Sequence, residues 1–210
     1  MTSLSRLWSH NVHQNNMNTF KSKLNKGFTL IETMIAVFIL VLAMNGLLGL
    51  IASSLFSARY AKNELVANYL LQEVVDYVRN DRDTTVFNKN GGGTWASFQT
   101  KYNGAFGCFT ANGCEIESAT TTVTACNGTV SGFGLLPCRV MNYDASAANK
   151  DYYTYLTPTG YTASNFKRQV KMSINGGNAN ELDIKVTVEW QNGSLVRSKV
   201  LRASLLNWQQ

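Results

Sequence analysis

Glu32 is the only charged residue between Lys26 and Arg59, and it stands at the head of an apolar run. From Met34 to Phe56 there is no charge at all, which is long enough for a helix to cross a bilayer at about 20 residues per crossing. A carboxylate in such a segment costs roughly 2.5 to 3.5 kcal/mol on insertion scales, so it calls for a compensating cation. Other groups with chemical potential are few. Asp81 with Asp83 and Glu115 with Glu117 form carboxylate pairs. Their polar or glycine-rich surroundings read as exposed loops, whereas acid-base catalysis needs carboxylates perturbed by burial. His10 and His13 are the only histidines, and both fall within the first 27 residues. A chain that loses that segment has no Ser-His or Cys-His dyad and no His-containing zinc site. No catalytic residue, metal ligand set or cofactor is therefore expected.

The elements flanking Glu32 set its environment. Residues 1–27 contain Arg6, Lys21, Lys23 and Lys26 but no acid, which keeps this end in the cytoplasm by the positive-inside rule. A secretory signal peptide has an apolar core of about 7 to 15 residues, with its small-residue cleavage site beyond the core. Here the run is longer and the small residue, Gly27, precedes it. An ordinary single-pass anchor accounts for the length and the basic flank but leaves Glu32 unexplained. Met17 begins a shorter version of the same segment; a start there, as an alternative to Met1, changes nothing after Gly27.

The string Lys26-Gly27-Phe28-Thr29-Leu30-Ile31-Glu32 resembles the class III signal of type IV prepilins and type II secretion pseudopilins. The resemblance implies that a membrane-embedded prepilin peptidase cuts between Gly27 and Phe28 and N-methylates Phe28. It also implies that Glu32, fifth in the processed chain, directs subunit assembly. Cutting after Gly27 creates an amine at Phe28, and position 28 of a helix lies one turn from position 32 on the same face. Such a cation offsets the desolvation of the carboxylate. In the family the amine comes from a neighbouring subunit, so Phe28 and Glu32 are the expected assembly residues. A carboxylate snorkelling toward the headgroups is the alternative.

Charge agrees with processing. The whole chain carries +6, but residues 1–27 hold four of the nineteen basic residues and none of the thirteen acids, leaving fifteen against thirteen. No specific nucleic-acid surface is indicated for so nearly neutral a remainder. Lys167, Arg168 and Lys171 read as a solvated strand edge.

Beyond the apolar run the helical pattern continues. Tyr60, Leu65, Val66, Tyr69, Leu70, Val74, Tyr77 and Val78 recur at helical spacings, and Arg59, Lys62, Glu64, Glu73, Asp76 and Arg79 interleave as a polar face. No proline interrupts residues 28–80, so one helix of about 50 residues is expected. Its weak point is Asn45-Gly46 with Gly49 nearby, for which close helix packing is the competing explanation. From Asn80 to Ala111 the composition turns polar, with Gly91-Gly92-Gly93 and isolated aromatics at Trp95, Phe98, Tyr102 and Phe106. Loop structure pinned by packed aromatics is expected there, in preference to a carbohydrate platform.

Cys108, Cys114, Cys126 and Cys138 lie within 31 residues, past the apolar run. On the far side of a membrane disulfides persist, and four cysteines allow three connectivities. Local staples, Cys108 to Cys114 and Cys126 to Cys138, are favoured over a four-thiolate zinc site because there is no C-x2-C pair. Phe166 to Ile174 and Leu182 to Trp190 read as strands, the second alternating Ile184, Val186, Val188 and Trp190 against Lys185, Thr187 and Glu189. Asn192-Gly193 marks a hairpin turn before Leu195 to Leu205. Asn192-Gly193-Ser194 and Asn127-Gly128-Thr129 also match the glycosylation sequon, but in a bacterial-type protein the turn reading takes precedence.

The expected fold class is α+β and pilin-like: a long amino-terminal helix packed on a carboxyl-terminal antiparallel sheet, with a disulfide-bearing region between. The expected divisions are a cleaved leader over 1–27, a transmembrane and assembly half-helix over 28–56 and an amphipathic half-helix over 57–83. A loop-rich disulfide region over 84–160 and a sheet over 161–210 complete them. Gly46-Leu47-Leu48-Gly49-Leu50, Val74 through Asn80 and Val186 through Trp190 are similar to the minor pilins of the PilV type. That likeness covers the helix and the final hairpin. It implies a low-abundance subunit that primes pilus assembly, sits at the tip and supports adhesion or twitching motility. Its partners would be prepilin peptidase, other minor and major pilins and the bacterial inner membrane, with the carboxyl-terminal domain periplasmic before assembly. A minor pseudopilin of type II secretion shares the first half of this reading. A monomeric membrane-anchored binding module needs no cleavage after Gly27.

Overall fold

The computed structural model describes residues 27–87, 93–104, 107–126, 132–144, 152–157 and 159–207. The leader up to residue 26, with His10, His13 and Met17, lies outside the described residues. So do Gly91, Gly92, Phe106 and the Asn127-Gly128-Thr129 sequon. The chain forms two compact units, Met1–Leu50 and Ile51–Gln210.

One helix, α1 (Leu30–Phe87, 58 residues), runs through both units. It is unbroken at Asn45-Gly46, where the Asn45 side-chain amide donates to the Val41 carbonyl at 3.0 Å. In the first unit every described side chain is exposed. A Cβ added to Gly46 or Gly49 would meet no atom within 4 Å, so close packing inside this chain does not account for these glycines. Length and apolarity make α1 able to cross a membrane. The helix ends at Phe87 rather than near residue 80, because Val86 is buried and the Thr84 hydroxyl bonds back to Asn80, which extends the last turns.

The second unit is an α+β layer: the remainder of α1 lies on an antiparallel sheet. The strands are β1 (Cys114–Glu117), β2 (Thr122–Ala125), β3 (Val140–Asp144), β4 (Tyr152–Thr154), β5 (Tyr161–Asn175), β6 (Asn178–Asn192) and β7 (Leu195–Leu206). β5 is central, bordered by β6 and then β7 on one side, and by β3 and β1 in succession on the other. Leu182, Ile184, Val186, Val188 and Trp190 are buried at alternate positions of β6, as period-2 geometry requires of a sheet with one covered face.

The helix presents Ala67, Leu70, Leu71, Val74, Val75 and Val78 to this core. The buried stripe is rotated from the expected one: Leu65 and Tyr69 are exposed. Small and aliphatic side chains ride close on the flat aliphatic sheet face, while the Tyr69 side chain stays exposed, with its hydroxyl end polar.

The polar stretch after α1 is not all loop. α2 (Trp95–Asn103) opens with a capping box in which Thr94 and Ser97 each bond the other's backbone N–H. Trp95, Phe98 and Tyr102 fall on one face and are buried. Four of the seven strands among the described residues also lie between residues 84 and 160; short strands with mixed polarity carry little periodic signal. The final hairpin turns on Gly193-Ser194, one residue later than Asn192-Gly193, since Asn192 pairs with Leu195. Gly193 takes the positive φ of 63° that the first turn residue needs.

Candidate functional site

The amino-terminal constellation is built around a helix cap. The Thr29 carbonyl accepts the Thr33 N–H at 3.2 Å, and the Thr29 hydroxyl accepts the Glu32 N–H at 3.3 Å. Thr29 is thus the N-cap of α1 and Glu32 its third residue, the T-x-x-E arrangement of a capping sequence. Gly27 and Phe28 precede the helix and are exposed. Position 28 therefore does not share a helical face with Glu32 here, because the threonine cap ends the helix before it. Among the described residues the Glu32 carboxylate has no hydrogen-bond or ion-pair partner. It sits in the first turn of α1, where the helix dipole favours a negative charge.

Charges in the second unit have a different fate. Arg168 is buried on β5, where it donates to the Ile116 carbonyl at 2.6 Å, to the Leu70 carbonyl of α1 at 3.2 Å and to the Glu73 carboxylate at 2.9 Å. Glu73 also accepts the Ser118 hydroxyl. Burial opposes the Arg168 charge, but Tyr155, Glu73 and Glu117 more than offset it, and its pKa is raised. Lys167, on the opposite face, is buried too. Its amine donates to the Leu136 carbonyl at 3.3 Å and lies 5.4 Å from the Phe133 ring centre. Burial lowers the Lys167 pKa, with Glu189 acting against the shift. Lys167 and Arg168 are therefore not a solvated strand edge; Lys171 is half-buried.

Glu115 and Glu117 are likewise buried on β1 rather than exposed in a loop. Glu115 accepts the Arg139 backbone N–H at 2.5 Å and its guanidinium at 2.7 Å. Glu117 accepts the Thr154 hydroxyl at 2.6 Å, the Tyr155 N–H at 2.7 Å and the Tyr152 hydroxyl at 3.0 Å. Burial and Glu117 push the Tyr152 phenol up to about 12. Asp81 is held by Lys101 at 2.6 Å and Tyr102 at 2.7 Å, while Asp83 pairs with Arg82 at 2.7 Å. Glu115, Glu117 and Asp81 each take donors from other elements or loops, an arrangement that ties strands and helices together. Glu189 follows the same pattern, accepting the Leu135 and Leu136 N–H groups at 2.9 and 3.0 Å. Gly134 makes that cup possible, because a Cβ there would lie 2.1 Å from the Glu189 carboxylate.

The cysteines close two short loops, Cys108 to Cys114 and Cys126 to Cys138. Glu115 lies beside the Cys126 and Cys138 sulfurs, but these are bonded to each other and offer no thiolate to a metal. Sequence reasoning missed the buried charges. A signal existed for Arg168, which shares a strand face with Phe166, Val170 and Met172. None existed for Glu115, whose partner Arg139 lies 24 residues away.

Against this geometry, comparison with known families finds a match to the prokaryotic N-terminal methylation motif, over residues 22–44. The match contains Gly27, Phe28, Thr29 and Glu32 and the start of α1. No curated protein and no solved structure matches the chain. The motif supports a type IV pilin or pseudopilin, processed by prepilin peptidase and assembled with other pilins. Together with the apolar helix it fits anchoring in the inner membrane and later incorporation into a pilus.

Proposed function

We propose that this chain is a minor type IV pilin: a structural, non-catalytic subunit that primes pilus assembly, takes a place at the tip and supports adhesion or twitching motility. The observation that carries the reading is the Glu32 carboxylate, without a partner among the described residues, at the head of an exposed apolar helix and inside a methylation motif. Cleavage after Gly27 would supply the missing cation as the Phe28 amine, and pairing between subunits would set axial register. The non-catalytic part is supported by the carboxylates Glu115 and Glu117, which are occupied by internal donors. The likeness of the helix and final hairpin to PilV-type minor pilins supports the minor role. Before assembly the second unit would lie in the periplasm, where the two disulfides would persist.

Mass spectrometry of membrane-extracted protein, made with and without prepilin peptidase, tests the reading. The expected product begins with N-methylated Phe28. An intact leader in cells with a working peptidase would leave an ordinary anchored ectodomain instead. A minor pseudopilin role gives the same mass, and the presence of the chain in sheared pili separates the two.

A further inference from the structure

Three cations stand side by side on the sheet face opposite α1. Lys171 of β5 pairs with Lys185 of β6, and Lys185 pairs with Arg202 of β7, forming a single cross-strand row. Adjacent strands lie about 4.8 Å apart, and like charges placed directly opposite one another weaken a sheet. Among the described residues none of the three has an ion-pair or hydrogen-bond partner through its side chain. Lys185 and Arg202 are exposed and Lys171 half-buried. They line a depression of about 530 Å³ together with the hydroxyl-bearing residues Thr110, Ser173 and Ser204. Asp183 is the acid of this lining, and it accepts the Ser204 hydroxyl at 2.5 Å.

We propose that Lys171, Lys185 and Arg202 form a binding site for a phosphate-bearing group. Convergent ammonium and guanidinium donors match the charge and multiple acceptor oxygens of a phosphate, and hydroxyls at the rim supply neutral donors. Among the described residues the lining has no aromatic ring, and so offers neither a sugar nor a nucleobase a face to stack on. The positive row also stops abruptly. On one side the next row of this face is Ser173, Asp183 and Ser204; on the other it is Gln169, Thr187 and Val200. A long polyanion would have no cationic track to follow, whereas one phosphate group needs only the row itself. The phosphate is either free or carried on a lipid headgroup, and both present the same oxygens.

Thermal unfolding of the full chain in a neutral detergent tests the site. In chloride buffer without phosphate, Lys185→Gln relieves the repulsion and raises the midpoint by about 2 °C. Inorganic phosphate then raises the wild-type midpoint saturably but leaves the variant unmoved, and Arg202→Gln serves as an independent second variant. Soluble dihexanoyl phosphatidylglycerol, with the phosphatidylcholine analogue as control, forms the other arm. A response to phosphatidylglycerol without one to inorganic phosphate assigns the lipid-borne source. A wild type unmoved by either probe, or variants that respond as the wild type does, overturns the proposal.

Discussion

The first unit and the second treat charge in opposite ways. Up to Leu50 the described chain has one carboxylate, Glu32, with no partner among the described residues. In the second unit the buried residues Arg168, Lys167, Glu115, Glu117 and Glu189 each find fixed partners inside the chain. Burying an ion without a partner costs several kcal/mol, so a folded domain must close its accounts internally. A segment destined for lipid and assembly can leave one charge open, provided another chain closes it. The contrast separates charges that hold this protein together from the one proposed to join it to others.

The contrast breaks most directly at Arg168. Arg168→Ala leaves two carbonyls and the Glu73 carboxylate without their donor, and an expected loss of about 3 to 5 kcal/mol follows. Chemical denaturation of the full chain in detergent measures it. A loss below about 1 kcal/mol would mean that internal closure matters little. Arg168→Met combined with Glu73→Leu should recover much of the difference, because apolar packing replaces the pair outright.

Replacing Cys126 and Cys138 together by alanine should cost about 2 to 4 kcal/mol by the same measurement. That bridge anchors the loop whose Leu135 and Leu136 N–H groups cup Glu189. The cost should therefore appear together with faster hydrogen exchange at those two amides.

A smaller effect is expected from alkali. Burial, with help from Asp81 or Glu117, raises the pKa of Tyr77, Tyr102 and Tyr152, and burial raises that of Tyr155. A raised folded-state pKa means that the neutral phenol is favoured by folding. Its stabilisation is complete below pH 10 and is lost as pH climbs through the folded value, about 12 for Tyr152. Lys167 works in the opposite sense, since its lowered pKa penalises the protonated form and the penalty lifts toward pH 10.5. Four phenols outweigh one amine, so the unfolding midpoint should fall between pH 10 and 12. A flat profile there would show that these hydroxyls do not contribute as drawn.

The least change in stability is expected at Glu32. Glu32→Ala should shift the denaturation midpoint by no more than about 0.5 kcal/mol, because the cap depends on the Thr29 hydroxyl and the Glu32 backbone N–H. Membrane insertion should persist while incorporation into filaments is lost. Wild-type levels of the variant in sheared pili would close the comparison against the assembly role.

Legibility followed the range of the interactions. The apolar run, the single carboxylate and the helix beyond were readable because each is a local pattern with a period. So were β6 and the final hairpin, whose alternation spans Ile184 to Trp190. α2 was overlooked although Thr94 and Ser97 form a capping box and Trp95, Phe98 and Tyr102 recur at helical spacing; the polar composition around them masked the period. The buried face of α1 was placed too far toward Leu65 and Tyr69, since composition alone cannot rank two adjacent apolar stripes.

Local patterning by itself determined where this chain could enter a membrane, carried the prokaryotic N-terminal methylation motif and singled out Glu32 as the one carboxylate of the apolar run. Tertiary structure alone decided which charges of the second unit are interior. The ligands of Arg168 come from residues 70, 73 and 116, and those of Glu115 and Glu117, the Ala119 N–H apart, from residues 139, 152, 154 and 155. No window of sequence contains both ends of such a bond. Whether a charged side chain is buried or solvated depends on the partner that folding brings to it.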